Sequence, residues 1–163
     1  MVTESKPPRA QWLLLAYRIP REPSTPRIAA WRKLRRLGAA QLLDGLVTLP
    51  LDSRNREQFE WLAGEILEAN GEATLWVGEL ASRARERELT ARMAAAVASE
   101  YEAVIAEAER VRGQPPGSGR RSLARLRREL RRIRARDYFP PPDRERAQQA
   151  IDALAEAVEE VTR

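Results

Sequence analysis

The run Trp12-Leu13-Leu14-Leu15-Ala16-Tyr17, closed by Arg18-Ile19-Pro20, is apolar or aromatic without a break. Side chains on a strand point alternately to the two faces of a sheet, so a strand with one wet face alternates apolar and polar residues. This run does not alternate, and both of its faces need cover. Six residues ending at a proline are short for a helix. The reading is the central strand of a small sheet, with a buried turn of helix as the competing one.

The segments that follow supply the partners of this strand. Pro20, Pro23 and Pro26 punctuate a loop, and Ser24 or Thr25 is placed to cap a helix with Pro26 at the first helical position. The helix is expected over Arg27 to Leu37, with Ile28, Trp31, Leu34 and Leu37 on its core side and Gly38 just past its end. Ala39 to Leu43 and Leu46 to Leu49 flank Asp44-Gly45, a hairpin signal whose two turn positions are expected at positive φ. Pro50 stops the second strand. Asp52 or Ser53 can cap a helix running to about Asn70, with Phe59, Leu62, Ala63 and Ile66 inward. Asn70-Gly71 ends it, and Glu72 to Val77 reads as a last strand.

The order β-α-β-β-α-β is the ferredoxin-like pattern: an α+β fold with a four-stranded antiparallel sheet. Right-handed crossovers place both helices on one face. The other face must be covered by the rest of the chain or by a second copy, since the first strand is apolar on both sides.

The rest of the chain is helical, an extension of about three helices. Apolar residues recur in steps of three and four at Leu89, Met93, Val97, Tyr101, Val104, Ala108 and Val111, within a helix expected from about Glu79 to Arg112. They recur again at Leu123, Leu126, Leu130 and Ile133 over Arg120 to Arg136, and at Ala147, Ile151, Leu154, Val158 and Val161 over Asp143 to Thr162. The expected organisation is a flexible tail over 1–10, a ferredoxin-like domain over 11–78 and a helical extension over 79–163. Breaks fall near 113–119, where Gly and Pro cluster, and near 137–142.

Composition excludes several kinds of chemistry. The chain has 163 residues with neither cysteine nor histidine, which removes disulfides, zinc sites with nitrogen or sulfur ligands, and any Ser-His-Asp triad. No glycine loop for phosphate is present, nor the aromatic signature of RNA-recognition strands. Carboxylate neighbours such as Glu159 and Glu160 sit in a charge-rich helix and need no catalytic role. No enzyme activity and no resident cofactor or metal are expected. No signal peptide is visible and no apolar run approaches 18 residues, so the expected location is the cytoplasm, with no membrane contact.

Charge is partitioned unevenly. The net charge is +5, and residues 113–142 alone hold nine arginines against Glu129 and Asp137, net +7. These arginines surround the leucine seam of the second extension helix. Guanidinium groups bind phosphate bidentately and keep their charge, so Arg120, Arg121, Arg125, Arg127, Arg128, Arg131, Arg132 and Arg134 are candidate nucleic-acid contacts. The competing reading pairs them with the acidic helices in an ordinary charged bundle. A membrane-surface role is weaker, because the seam lacks Trp and Phe. The face Arg32, Lys33, Arg35, Arg36 of the first helix is a second basic surface, explained as well by solvation as by binding.

Four motifs carry a family resemblance: W-L-L-L-A-Y-R-I-P (12–20), P-S-T-P-R-I-A-A-W-R-K-L-R-R-L-G-A (23–39), L-L-D-G-L-V-T-L-P (42–50) and G-E-A-T-L (71–75). In order and spacing they resemble the N-terminal domain of the chromate-resistance regulator ChrB. The resemblance implies a DNA-binding transcriptional regulator of a chromate efflux system, with chromate or sulfate as a possible oxyanion ligand. Within the matched motifs it carries over Arg18, Arg27, Trp31, Arg32, Arg35 and Arg36, with Trp31 read as core rather than contact. Proteins of this kind continue into a C-terminal domain that nothing in these 163 residues resembles, which leaves three readings open: a stand-alone N-terminal domain, a piece of a longer protein, or a chain that acts with a separate C-terminal-domain-like polypeptide as partner. A homodimer is expected as well. The pattern is also similar to the central domain of the phenylacetate-responsive repressor PaaX and, more distantly, to ferredoxin-like nuclease-like proteins of CRISPR adaptation. Those carry an aspartate at the end of the first strand, where Tyr17-Arg18 stands here, which disfavours a metal nuclease. The alternative to a regulator is an interaction protein whose helical extension pairs with a protein partner.

Overall fold

The computed structural model describes residues 9–115, 117 and 119–160. The tail expected over 1–10 lies outside these as far as residue 8, as do Val161 and Thr162 of the last expected helix. The elements run β1 (Trp12–Arg18), α1 (Thr25–Leu37), β2 (Ala40–Leu43), β3 (Leu46–Pro50), α2 (Ser53–Glu68), β4 (Glu72–Gly78), α3 (Arg83–Arg112), α4 (Gly119–Ala135) and α5 (Asp143–Glu160). The chain forms two compact units, one ending at Arg87 and the other beginning at Glu88, so the division falls inside α3.

In the first unit the sheet order is β2-β3-β1-β4, antiparallel throughout, with β1 central as its unbroken apolar run requires. Cross-strand partners share a face. Leu13 pairs with Leu49 and Leu15 with Val47, and all four are buried on one side of the sheet. Phe59, Leu62 and Ile66 of α2 and Ala30 and Leu34 of α1 are the buried apolar residues of the two helices. Trp12, paired with Pro50 and Gly78, points to the opposite side with Leu14 and Thr48. Trp12 is buried there, and its Nε1 donates to Glu86 Oε1 of α3 at 3.0 Å. Thr48 is buried on that side too, its hydroxyl donating to the Leu13 carbonyl at 2.7 Å. Trp76, across from Leu14 on the same side, stays 61% exposed.

Two local expectations need correction. At Asp44-Gly45 only Gly45 has positive φ, at 75°. A register shift between Gln41 and Leu43 takes up the twist that a turn left-handed at both positions would supply. Gly45 is still required, because a Cβ there would sit 2.4 Å from the Tyr17 carbonyl oxygen. At α1, Ser24 occupies the cap position but its side chain makes no cap hydrogen bond. Asp52 does cap α2, accepting from the Asn55 amide at 2.7 Å.

The second unit buries the three expected seams. Val97, Tyr101, Val104, Ala108 and Val111 of α3 join Leu123, Leu126, Leu130 and Ile133 of α4, and Ala147, Ile151 and Leu154 of α5, in one apolar core. Met93 is only partly buried. A polar pair sits in this core: Tyr101 Oη donates to Asp137 Oδ2 at 2.7 Å, and Arg144 lies 3.6 Å from the same oxygen. Among the described residues no helix is long and apolar enough to cross a membrane.

Candidate nucleic-acid interface

The leucine seam of α4 faces the core, so its arginines are distributed over the remaining surface. Arg125 is held by Glu107 of α3 at 2.6 Å. The same carboxylate accepts two bonds from Arg110, at 2.7 and 2.8 Å. The Arg110 bonds first, and then the Arg125 bond, pull the Glu107 carboxyl down to about 2. Arg134 donates to Gln148 Oε1 at 2.8 Å, and Arg136 pairs with Glu100. Arg132 lies 3.5 Å from Glu129 on its own helix. Arg121, Arg127, Arg128 and Arg131 are exposed, and none has an ion pair among the described residues. At 3.6 residues per turn these four fall within an arc of about 120° and about 15 Å of helix length. Arg120 is exposed and has an interaction of its own. The arginine helix thus divides: one group ties α4 to its neighbours, and the other leaves a cationic surface to solvent.

In the first unit the basic residues of α1 divide in the same way. Lys33 turns toward α2, 3.4 Å from Glu65, and its side chain is only 16% exposed. Arg27, Arg32, Arg35 and Arg36 remain exposed. Arg18, at the end of β1, pairs with Glu72 at 2.9 Å, both side chains open to water. An exposed pair of this kind contributes about 0–1 kcal/mol, so phosphate can compete for the arginine.

Trp31 is not core. It is 55% exposed and Ile28 is 46% exposed, while Ala30 and Leu34 face inward. The cause lies in the helix period. Ala30, Leu34 and Leu37 recur at i, i+4 and i+7, a stripe that excludes Ile28 and Trp31. The presence of Ala30 in that pattern is the signal that identifies the inward face; its small size makes it easy to pass over. The Arg35 guanidinium lies over the Trp31 ring, 4.9 Å from its centroid, a cation–π contact that holds the ring at the surface.

Beside this ring is an open cleft of about 820 Å³, where the end of β1, the outer face of α1 and the β2–β3 turn meet. Tyr17, Arg18, Arg27, Trp31 and Arg32 line it, with Asp44 at the turn. A smaller adjoining hollow of about 430 Å³ shares Arg18 and Arg27 and adds Arg21. Burial pushes the Tyr17 phenol above its ordinary value; Arg27 opposes the shift and Asp44 adds to it. The cleft thus gathers four of the six residues that the family resemblance carries over. Arg35 and Arg36 lie outside it, in a shallow hollow on the same helix with Trp31 and Arg32.

Known proteins agree with this reading of the motifs. A family model described as "Protein ChrB, N-terminal" matches residues 27–114. A curated protein of Cupriavidus metallidurans, named "Protein ChrB", is 29% identical over 137 residues, covering 82% of this chain. The match spans 42% of that protein's length. No solved structure gives a significant match. The matched residues take in α1 from Arg27, the strands β2, β3 and β4, α2 and the whole of α3, and the chain belongs to the ChrB N-terminal family.

Proposed function

We propose that this chain is a DNA-binding module of a cytoplasmic transcriptional regulator that controls a chromate efflux system. The observation that carries the reading is the cationic surface of α4, where Arg121, Arg127, Arg128 and Arg131 stand exposed with no acidic partner among the described residues. Family membership supplies the chromate context. The exposed basic residues of α1, Arg27, Arg32, Arg35 and Arg36, are a second phosphate-binding surface. Binding is sequence-independent through these arginines, and the operator is selected by further contacts or by a partner.

The reading includes a homodimer. The outer edge of β4 supports it: seven residues with no proline, no bulge and no lysine, and Trp76 and Val77 exposed. An interaction protein is the second reading, and the Arg125–Glu107 and Arg136–Glu100 pairs favour it, since they show arginines in and just past α4 answering acidic neighbours.

Fluorescence anisotropy with a labelled promoter duplex from its own operon, set against a scrambled duplex at several salt concentrations and with or without chromate, tests the function. Tighter promoter binding that chromate weakens is the result for a complete sensor. Equal, salt-sensitive binding to both duplexes means a backbone-binding module whose specificity lies elsewhere. No binding at low salt refutes the reading and turns attention to a protein partner.

A further inference from the structure

We propose that the cleft at the end of β1 accepts one unstacked nucleotide of DNA, with its base against Trp31 and its phosphate on Arg18 and Arg27. This rests on the DNA-binding reading and names the kind of DNA that α1 engages. Three observations converge on it.

The first is the ring. Trp31 is 55% exposed, lines the cleft, and has the Arg35 guanidinium 4.9 Å from its ring centroid. A largely exposed indole costs solubility, yet it is the platform on which a base stacks. The second is size and shape. About 820 Å³ lies in the range of small-molecule clefts and admits a base, a sugar and a phosphate. A duplex keeps its base faces stacked inside and offers none of them to a ring at such a hollow. The third is the arrangement of charge. Arg18, Arg27 and Arg32 line the cleft, suited to a phosphate, while Asp44 stands at the β2–β3 turn, with its Oδ1 accepting from Gln41 Nε2 at 3.3 Å. A carboxylate repels phosphate but accepts from the amino edge of a base. The cleft therefore offers both cations for a phosphate and an acceptor for a base, where a simple anion site needs only the first. Arg18 is free to respond, because its partner Glu72 is as exposed as itself.

The same chemistry would suit a free nucleotide, and the test separates the two sources. Three labelled probes are titrated with the full chain by anisotropy: a fully paired duplex, the same duplex with one unpaired nucleotide, and the single strand. Wild type, Trp31→Ala and Trp31→Phe are compared. The expected result is that the unpaired and single-stranded probes bind roughly ten-fold tighter than the paired duplex. Trp31→Ala brings that ratio to about one, and Trp31→Phe, which keeps a ring, restores most of it. Deoxyguanosine monophosphate added as competitor reports the source. Displacement of the single strand at submillimolar nucleotide supports the cleft and makes a free nucleotide its ligand as well. Failure to compete, with the ratio intact, supports an unpaired base held in a strand.

Equal affinity for all three probes overturns the proposal while leaving the DNA-binding reading standing. A preference that survives in Trp31→Ala overturns it too. Binding of the single strand without any binding of paired duplex keeps the cleft and refutes the operator reading instead. Absence of binding to every probe, together with no shift of melting temperature by the nucleotide, refutes both. Trp31 is largely outside the core, so its substitution leaves the fold intact, and circular dichroism of each variant checks this.

Discussion

The exposed arginines of α4 give a prediction that can be worked to a number. The perturbation is the fourfold variant Arg121→Gln, Arg127→Gln, Arg128→Gln, Arg131→Gln, which removes charge and keeps most of the length of each side chain. These four were chosen because none has an ion pair among the described residues, whereas Arg125 holds Glu107 and Arg134 holds Gln148. They share one helix face, about 120° wide and about 15 Å long, so one run of backbone can meet them all. Each phosphate neutralised on duplex DNA contributes about 0.9 to the slope of log K against log salt. Four lost contacts therefore flatten the slope by about 3.6. Between 50 and 200 mM salt, the wild-type affinity then falls about 150-fold further than that of the variant. The assay is anisotropy with a labelled duplex at five salt concentrations. A melting curve confirms that the seam Leu123, Leu126, Leu130 and Ile133 still packs. A slope that changes by less than about one, in a folded variant, refutes the assignment of α4 to the DNA backbone and leaves its arginines as bundle surface.

Three further outcomes follow from the structure. Tyr101→Phe leaves the Asp137 carboxylate with one donor fewer; its Oδ1 already accepts no bond among the described residues. A hydrogen bond to a buried charged group is worth about 2 kcal/mol, so the melting temperature falls by about 4–8 °C. Burial, and then the bond to Asp137, raise the Tyr101 phenol well above its usual value. The neutral phenol is thus the form the fold favours, so its stabilisation is complete below about pH 10 and fades as pH rises beyond that. Tyr101→Phe should lack this alkaline loss; a denaturant titration series from pH 8 to 11 that shows identical losses in both proteins contradicts the account. Asp52→Ala removes the cap of α2 and should cost about 1 kcal/mol, measured as a shift in the urea midpoint with an unchanged slope. Calorimetric titration with chromate and with sulfate should give heat and a raised melting temperature if an arginine cluster holds an oxyanion; silence with both ions removes chromate sensing from this chain.

The parts legible in the sequence were those governed by local period and by chain order. An unbroken apolar run at 12–17 needs two covered faces, and β1 is the central strand. Seams stepping by three and four at Leu123, Leu126, Leu130 and Ile133 reappear as the buried residues of α4, because helix geometry alone places them on one side. The order β-α-β-β-α-β fixes the sheet order, since hairpins and right-handed crossovers leave little freedom. The family too was readable from motif order.

Tertiary structure decided which side of an ambiguous helix faces in, and which charges are paired. In α1 two stripes compete, Ile28-Trp31-Leu34 and Ala30-Leu34-Leu37, and hydrophobicity favours the wrong one. Ala30 and Leu34 are the buried residues of α1, and Trp31 is left at the surface beside the cleft. Composition showed an arginine excess at 113–142 but could not say that Glu107 and Glu100 take Arg125 and Arg136 while Arg121, Arg127, Arg128 and Arg131 go unmatched. Pairing depends on which residues distant in sequence come within a few ångströms, a quantity that spacing along one chain does not contain. The cleft is of the same kind: Tyr17, Arg27 and Asp44 come from a strand, a helix and a turn, and meet only because the fold brings the end of β1, α1 and the hairpin to one place.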